Sequence, residues 1–165
     1  VRHLLSCGRT RIAIIAGDSE YSVTHERMRG ALKALHDAGL QLAGEARFGP
    51  WEAEWGRAAA RLLLNDGAAF DAVICQNDVL ARGCIEELER NGCRVPQDVA
   101  VIGHDNSPDY VSYAHPLLTS IDDNNEMLGR QAALCLLDAI AGHPHHGVER
   151  VPVKLIQRES TLPLD

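Results

Sequence analysis

Three short runs, Ile12-Ala13-Ile14-Ile15-Ala16, Ala72-Val73-Ile74-Cys75 and Val99-Ala100-Val101-Ile102, are apolar at every position. A strand with one face in water alternates apolar and polar residues, so runs without alternation predict strands covered on both faces, as in a parallel sheet between helices. Parallel neighbours also need long crossovers, and the segments between the runs read as helices. Met28, Ala31, Leu32, Leu35 and Ala38 keep the i, i+3, i+4, i+7 spacing of a buried stripe, and Gly39 stops it. Ala58 to Leu64 predicts a second helix, closed by Asn65-Asp66-Gly67. Val79, Leu80, Gly83, Cys84 and Leu88 mark a third, ending at Asn91-Gly92, and a weaker strand spans about Gln41 to Phe48. The order β-α-β-α-β-α-β predicts a three-layer α/β/α fold with a mostly parallel sheet and right-handed crossovers. Beyond it, Leu117 to Ile121 reads as a strand and Met127 to Ile140 as a long helix ended by Gly142. The loop His143-Pro144-His145-His146-Gly147 then leads to a final strand at about Arg150 to Gln157.

Ligands of open parallel sheets bind outside the carboxyl ends of the strands. Here those ends are polar: Gly17-Asp18-Ser19, Gln76-Asn77-Asp78, Gly103-His104-Asp105-Asn106 and Asp122-Asp123-Asn124-Asn125. Carboxylates and amides on one edge accept from and donate to hydroxyls, and Arg27, early in the first long helix, adds a bidentate donor. Trp51, in the Gly49-Pro50-Trp51 loop, offers an apolar face. That mixture suits a polyhydroxylated small molecule. Asp or Asn after a strand also commonly caps the next helix, and a lone Trp also serves as a surface-anchored core residue. What favours a ligand is that four loops agree.

Other classes find little support. Sixteen Lys+Arg stand against 23 Asp+Glu, a net charge of −7, the wrong balance for displacing phosphate counterions from nucleic acid. No apolar run approaches the roughly 18 residues of a membrane span, and the opening Val1-Arg2-His3-Leu4-Leu5 is too short for a secretory leader. Gly17-Asp18-Ser19-Glu20-Tyr21 stands where a dinucleotide fingerprint would, and no phosphate loop, nucleophile elbow or paired-histidine zinc motif occurs. Asp122 and Asp123 are neighbours and diverge on a strand, a poor acid–base pair. His143, His145 and His146 lack a Cys or carboxylate at ligand spacing and read as a solvated loop. Five cysteines form no C-x-x-C pair, and Cys75, Cys84 and Cys135 read as small buried hydrophobes of a reducing compartment. No catalytic residue, metal site or cofactor is expected.

Several of these segments together resemble the effector domain of lactose-repressor-type (LacI/GalR) transcriptional regulators. Arg11 to Gly17 followed by Arg27-Met28-Arg29-Gly30 is similar to that family's "RIAxIxG…RxxG", and Asn77-Asp78-Val79-Leu80-Ala81-Arg82-Gly83 to its "NDxxAxG". Val95 to Asn106 resembles "vPxDvxViGfDd", Pro116 to Ile121 "PxLTTv", Leu128-Gly129 "lG", and Arg158-Glu159-Ser160-Thr161 "RxST". The resemblance covers nearly the whole chain, in order. It implies residues 1–165 as one effector-binding fragment resembling a lobe of periplasmic sugar-binding proteins, with 124–142 crossing to a first lobe outside the chain. A helix-turn-helix head would likewise lie outside, consistent with an acidic chain opening at Val1. By motif, effector contacts fall on Arg27, Trp51, Asn77 and Asp105, with Asp123 at the hinge and Asp18, Tyr21 and His104 as secondary candidates. His104 replaces the family's usual aromatic, and Asp123-Asn124-Asn125 its frequent Gln-containing crossover, so the effector's identity stays open between a sugar and an amine-bearing or metal-associated ligand. The expectation is a cytoplasmic homodimeric sensor of a sugar-like metabolite, touching its DNA operator only through the head. The alternatives are a solute-binding protein of a transport system with the same fold, or an α/β enzyme using Asp105 or His104 as base.

Overall fold

The computed structural model describes residues 1–67 and 69–162. Strands β1 (Ile12–Ala16), β2 (Arg47–Phe48), β3 (Ala72–Cys75), β4 (Ala100–His104), β5 (Thr119–Asp122) and β6 (Lys154–Ile156) form one sheet. Their order is β2-β1-β3-β4-β5-β6, parallel throughout except for the antiparallel β5–β6 pair. The helices are α1 (Arg2–Ser6), α2 (Ser22–Asp37), α3 (Ala53–Asn65), α4 (Asp78–Arg90), α5 (Pro108–Val111) and α6 (Asn125–Ile140), followed by a 3-10 turn at Glu159–Thr161.

The apolar runs are explained by what covers them. Ala13, Ile15, Val73, Cys75 and Val101 face α3 and α4, packing with Ala59, Leu63, Leu80, Cys84 and Leu88. Ile12, Ala72, Ala100 and Ile102 pack with Leu4 of α1 and Leu35 of α2, and Ile14 and Ala16 with Met28. The third run enters the sheet one residue late and extends to His104, because Ile102, Gly103 and His104 pair with Thr119, Ser120 and Ile121. Of the Gln41–Phe48 segment only Arg47 and Phe48 pair, at the sheet's edge beside Ile15 and Ala16. The final strand shrinks from Arg150–Gln157 to Lys154–Ile156. Helices α1 and α5 have five and four residues, too few to show a period in sequence.

The "RxST" segment acts as a buckle. The Ser160 hydroxyl donates to the Val101 carbonyl at 2.6 Å and accepts from the Thr119 amide at 2.8 Å, while Thr161 Oγ1 lies 2.7 Å from both Thr119 Oγ1 and His3 Nε2. Between β5 and β6 the chain leaves the sheet, forms α6, and returns. None of α6 is buried, and Leu136, Leu137 and Ile140 are 60–75% exposed. Cys135 is therefore only partly covered, unlike the buried Cys75 and Cys84, because the helix that carries it does not lie on the sheet.

Helices α3 and α4 touch backbone to backbone through two glycines. A Cβ on Gly56 would strike the Leu80 carbonyl, and one on Gly83 the Ala53 carbonyl. Gly83→Ala should therefore lower the unfolding free energy measured in urea by an overpacking cost of about 1–3 kcal/mol. Gly30→Ala, where a Cβ meets nothing within 4 Å, should raise it by about 0.5–1 kcal/mol through helix propensity.

Candidate functional site

Because β1, β3, β4 and β5 are parallel, their carboxyl ends deliver Gly17, Gln76-Asn77, His104-Asp105 and Asp122-Asp123 to one edge. Arg27, on α2, reaches across that edge. Its Nη1 donates to the Gln76 carbonyl, and its Nη2 to Asp105 Oδ1 at 3.1 Å and Asp123 Oδ2 at 3.5 Å. His104 Nε2 lies 2.6 Å from Asp123 Oδ1. Burial first, and then the Arg27 charge, hold the His104 imidazolium below its ordinary pKa, so the neutral ring donates from Nε2 to Asp123. Burial raises the Asp105 carboxyl, while Arg27 and His104 pull it back. The cationic and imidazole groups are mostly covered, at 19% and 16% exposure, whereas the Asp105 carboxylate is 42% exposed and open to a ligand.

The backbone that presents Asp105 is unusual. Asp105, Asn106 and Asn124 have φ of +100°, +52° and +56°, a region that side-chain-bearing residues rarely enter and that costs on the order of 1–3 kcal/mol each. Surrounding bonds hold the turn. The Asp105 amide donates to the Ile121 carbonyl at 2.9 Å and the Asn106 amide to Ser120 Oγ at 3.1 Å. Arg158 Nη2 donates to Asn106 Oδ1 at 2.8 Å, and Asn106 Nδ2 to Asp122 Oδ2 at 3.2 Å. Asp122 and Asp123 thus point to different partners, as adjacent strand residues should.

Two further residues organise the edge without standing among the predicted contacts. Gln76 is buried; its Oε1 accepts from the Gly17 amide at 3.2 Å and its Nε2 donates to the Thr24 carbonyl at 3.0 Å, joining β1, α2 and β3. Asp78 is also buried, accepting from the Ser107 amide at 2.8 Å and the Ser120 hydroxyl at 2.6 Å. Burial outweighs these bonds and pushes its carboxyl up to about 6. In sequence, Gln76 is signalled only by three polar residues in succession after an all-apolar strand, and Asp78 by that and by its place in the segment that resembles "NDxxAxG".

The predicted site residues divide. Arg27, Asp105, Asp123 and His104 form one bonded cluster. Asn77 is adjacent and does cap a helix, its Oδ1 accepting from the Leu80 amide at 2.8 Å, which leaves its Nδ2 to donate. Trp51 packs its indole over Gly17 and against the α3–α4 side of the core, so it is anchored as well as partly exposed. Contacts run from Trp51 through Gly17 and Gln76 to Arg27. Asp18 Oδ1 accepts from the Glu20 amide at 2.9 Å within its own turn and Tyr21 is 56% exposed, and neither side chain is hydrogen-bonded to the cluster. Ligand atoms of His104, Asp105 and Asp123 lie within 4.8 Å of one another, but Arg27 already supplies both carboxylates with positive charge. Arg27 and His104 also line an apolar groove of about 580 Å³, together with Ile14, Ile74, Ile102, Ile121 and Leu155.

Residues 1–161 match the periplasmic binding protein-like domain family. The chain is 36% identical over 167 residues to the HTH-type transcriptional repressor CytR of Escherichia coli K12, covering 99% of this chain and 48% of that protein. Among solved structures, the Lac repressor dimer bound to operator and the anti-inducer ONPF superposes with a TM-score of 0.91 at 31% identity, over 98% of this chain and 48% of that one. A complex of the transcriptional regulator CelR with cellobiose superposes with a TM-score of 0.84 at 34% identity, over 96% and 49%. The chain thus spans about half the length of the relatives it matches.

The titration of Asp78 has a definite sign. Its carboxyl binds a proton near pH 6 in the fold and near pH 4 in the unfolded chain, so between those values the folded state holds more protons and stability falls as pH rises. Its contribution is full below about pH 4 and gone above about pH 6, a change on the order of 2–3 kcal/mol. Urea unfolding of wild type and Asp78→Asn at intervals across that window should show their difference shifting against the wild type as pH rises. A constant difference would contradict the assignment.

Proposed function

The chain belongs to the periplasmic binding protein-like domain family, and from that premise we propose that it is the ligand-sensing portion of a LacI-type transcriptional regulator. The ligand is a small polyhydroxylated metabolite, a sugar or sugar derivative, and no bond in it is made or broken. The observation that carries this reading is the Arg27 guanidinium held between the Asp105 and Asp123 carboxylates at the ends of parallel strands. Such a pair is a preformed set of hydroxyl donors and acceptors, fixed in the fold before any ligand arrives. A vicinal hydroxyl pair exchanges the exposed Asp105 oxygens for its own contacts, Arg27 donates to a ring or hydroxyl oxygen, and Asn77 adds an Nδ2 donor. The exposed part of Trp51 offers an apolar surface to a ring face. Cellobiose in the CelR complex supports a saccharide, and the HTH-type relatives favour a regulator over a transport solute-binding protein.

In the whole regulator, the first lobe lies across the cleft and α6 crosses to it, which accounts for the exposed apolar residues of that helix. Ligand closing the two lobes about the strands that leave β5 and return at β6 shifts the population of DNA-binding heads, a coupling of typically about 1–3 kcal/mol. The protein acts in the cytoplasm as a homodimer, as expected for a DNA-operator-binding regulator. Among the described residues no helix is long and apolar enough to cross a membrane.

Calorimetry of the whole regulator against a panel of mono- and disaccharides identifies the effector. Arg27→Ala and Asp105→Ala should each weaken it by roughly 10–100-fold, the loss expected for a charged hydrogen bond. Wild-type affinity in both variants would refute the site. Sedimentation at micromolar concentration should show a dimer, and a monomer would count against the homodimer.

A further inference from the structure

We propose that Cys135, His145 and Glu149 form a binding site for one divalent transition-metal ion of the zinc type. The three donors come from α6, from the loop after it and from the segment just beyond, and one ligand atom of each lies within 4.8 Å of the other two. Thiolate, imidazole and carboxylate are the three donor types that zinc accepts, and three protein ligands leave a fourth position for water. Ligands about 2.0–2.3 Å from a tetrahedral ion stand about 3.3–3.8 Å apart. Cys135 Sγ and Glu149 Oε2, at 3.4 Å, already have that separation. The sequence offers the histidine loop with no thiol or carboxylate at ligand spacing; folding supplies both, one from the helix before it and one from the irregular segment after.

Outer groups hold the donors in place. Asp138 Oδ2 lies 2.9 Å from His145 Nε2 and orients the imidazole beside the other two donors. Gln131 Nε2 donates to Glu149 Oε1 at 2.9 Å. Gln131, Cys135 and Asp138 are spaced by four and three residues, so one face of α6 carries a ligand and both orienting groups. Gly142 and Gly147, with φ of +89° and +91°, bracket the turn that brings His145 back onto that face. On binding, the Cys135 S–H bond that now donates to Glu149 breaks, an Sγ–metal bond forms, and the proton leaves to solvent. The ion pins the histidine loop to α6.

Cobalt(II) titration of the purified chain is the test, since a thiolate ligand gives cobalt a charge-transfer band. One equivalent should produce that band, and zinc should displace it. Cys135→Ser should abolish it, His145→Ala should weaken cobalt binding at least about tenfold, and Asp138→Asn should weaken it by about 10–100-fold with an unchanged spectrum. The His143→Ala/His146→Ala double variant should titrate like wild type. These side chains are outside the packed core, and far-UV circular dichroism checks that each variant folds. The absence of a charge-transfer band, or its loss in the double variant, would overturn the site. So would a band that survives Cys135→Ser, which would place the metal at Cys7 and His3, where Sγ lies 3.8 Å from Nε2.

Discussion

The carboxylate of Asp78 sets the geometry on which the strand-end edge depends. It stands in the first turn of α4, where the helix dipole favours an anion, yet it is buried and accepts from Ser107 and Ser120 on two other connections. The same oxygen that accepts from Ser120 lies where a Cβ of Gly103 would be, so β4 passes it only because residue 103 is glycine. One side chain thereby ties the start of α4 to the loop after β4 and to β5. With β5 fixed, Ile121 and Ser120 hold the amides of Asp105 and Asn106 in their positive-φ turn. The carboxylate of Asp105 is then placed against Arg27.

From this follows a division of labour along the polar edge. Gln76 and Asp78, both buried, spend their hydrogen bonds on the fold. Arg27 and His104 are mostly covered and fix the two acidic groups. Asp105 and Asp123 keep solvent-facing oxygens that a hydroxyl can reach. The proposed site would discriminate by leaving its own polar groups unpaired when the wrong ligand enters.

The layered fold was legible because unbroken apolar runs admit few arrangements, and both faces of β1, β3 and β4 carry packed side chains, Ile74 alone of β3 being only partly covered where it lines the apolar groove. Elements held by tertiary partners were not. The two residues of β2 pair only because β1 lies beside them, and α1 and α5 are shorter than two full periods. Residue type and position brought out Arg27, Asp105, Asp123 and His104, whose charges must converge when four parallel strands end together. Asp18 looked equivalent but satisfies its own turn, a local choice open to any Asp after a strand. Asn77 caps α4 through Oδ1 alone, so the cap leaves its Nδ2 for the proposed ligand contact. Cys135 was misjudged because an apolar helical period states that a face is covered, not that the cover is this chain's sheet.

Nitrogen-15 nuclear magnetic resonance of the chain, titrated with the panel of mono- and disaccharides, tests ligand binding at the strand-end edge, because it reads binding and location together even when binding is weak. The strand-end site predicts shifts concentrated on the Arg27 guanidinium, the Trp51 indole, the Asn77 side-chain amide and the backbone of Gly17, Gln76, Asp105 and Asn106. Shifts centred instead on Ile14, Ile74 and Ile102 in the apolar groove, with these groups unmoved, would contradict it.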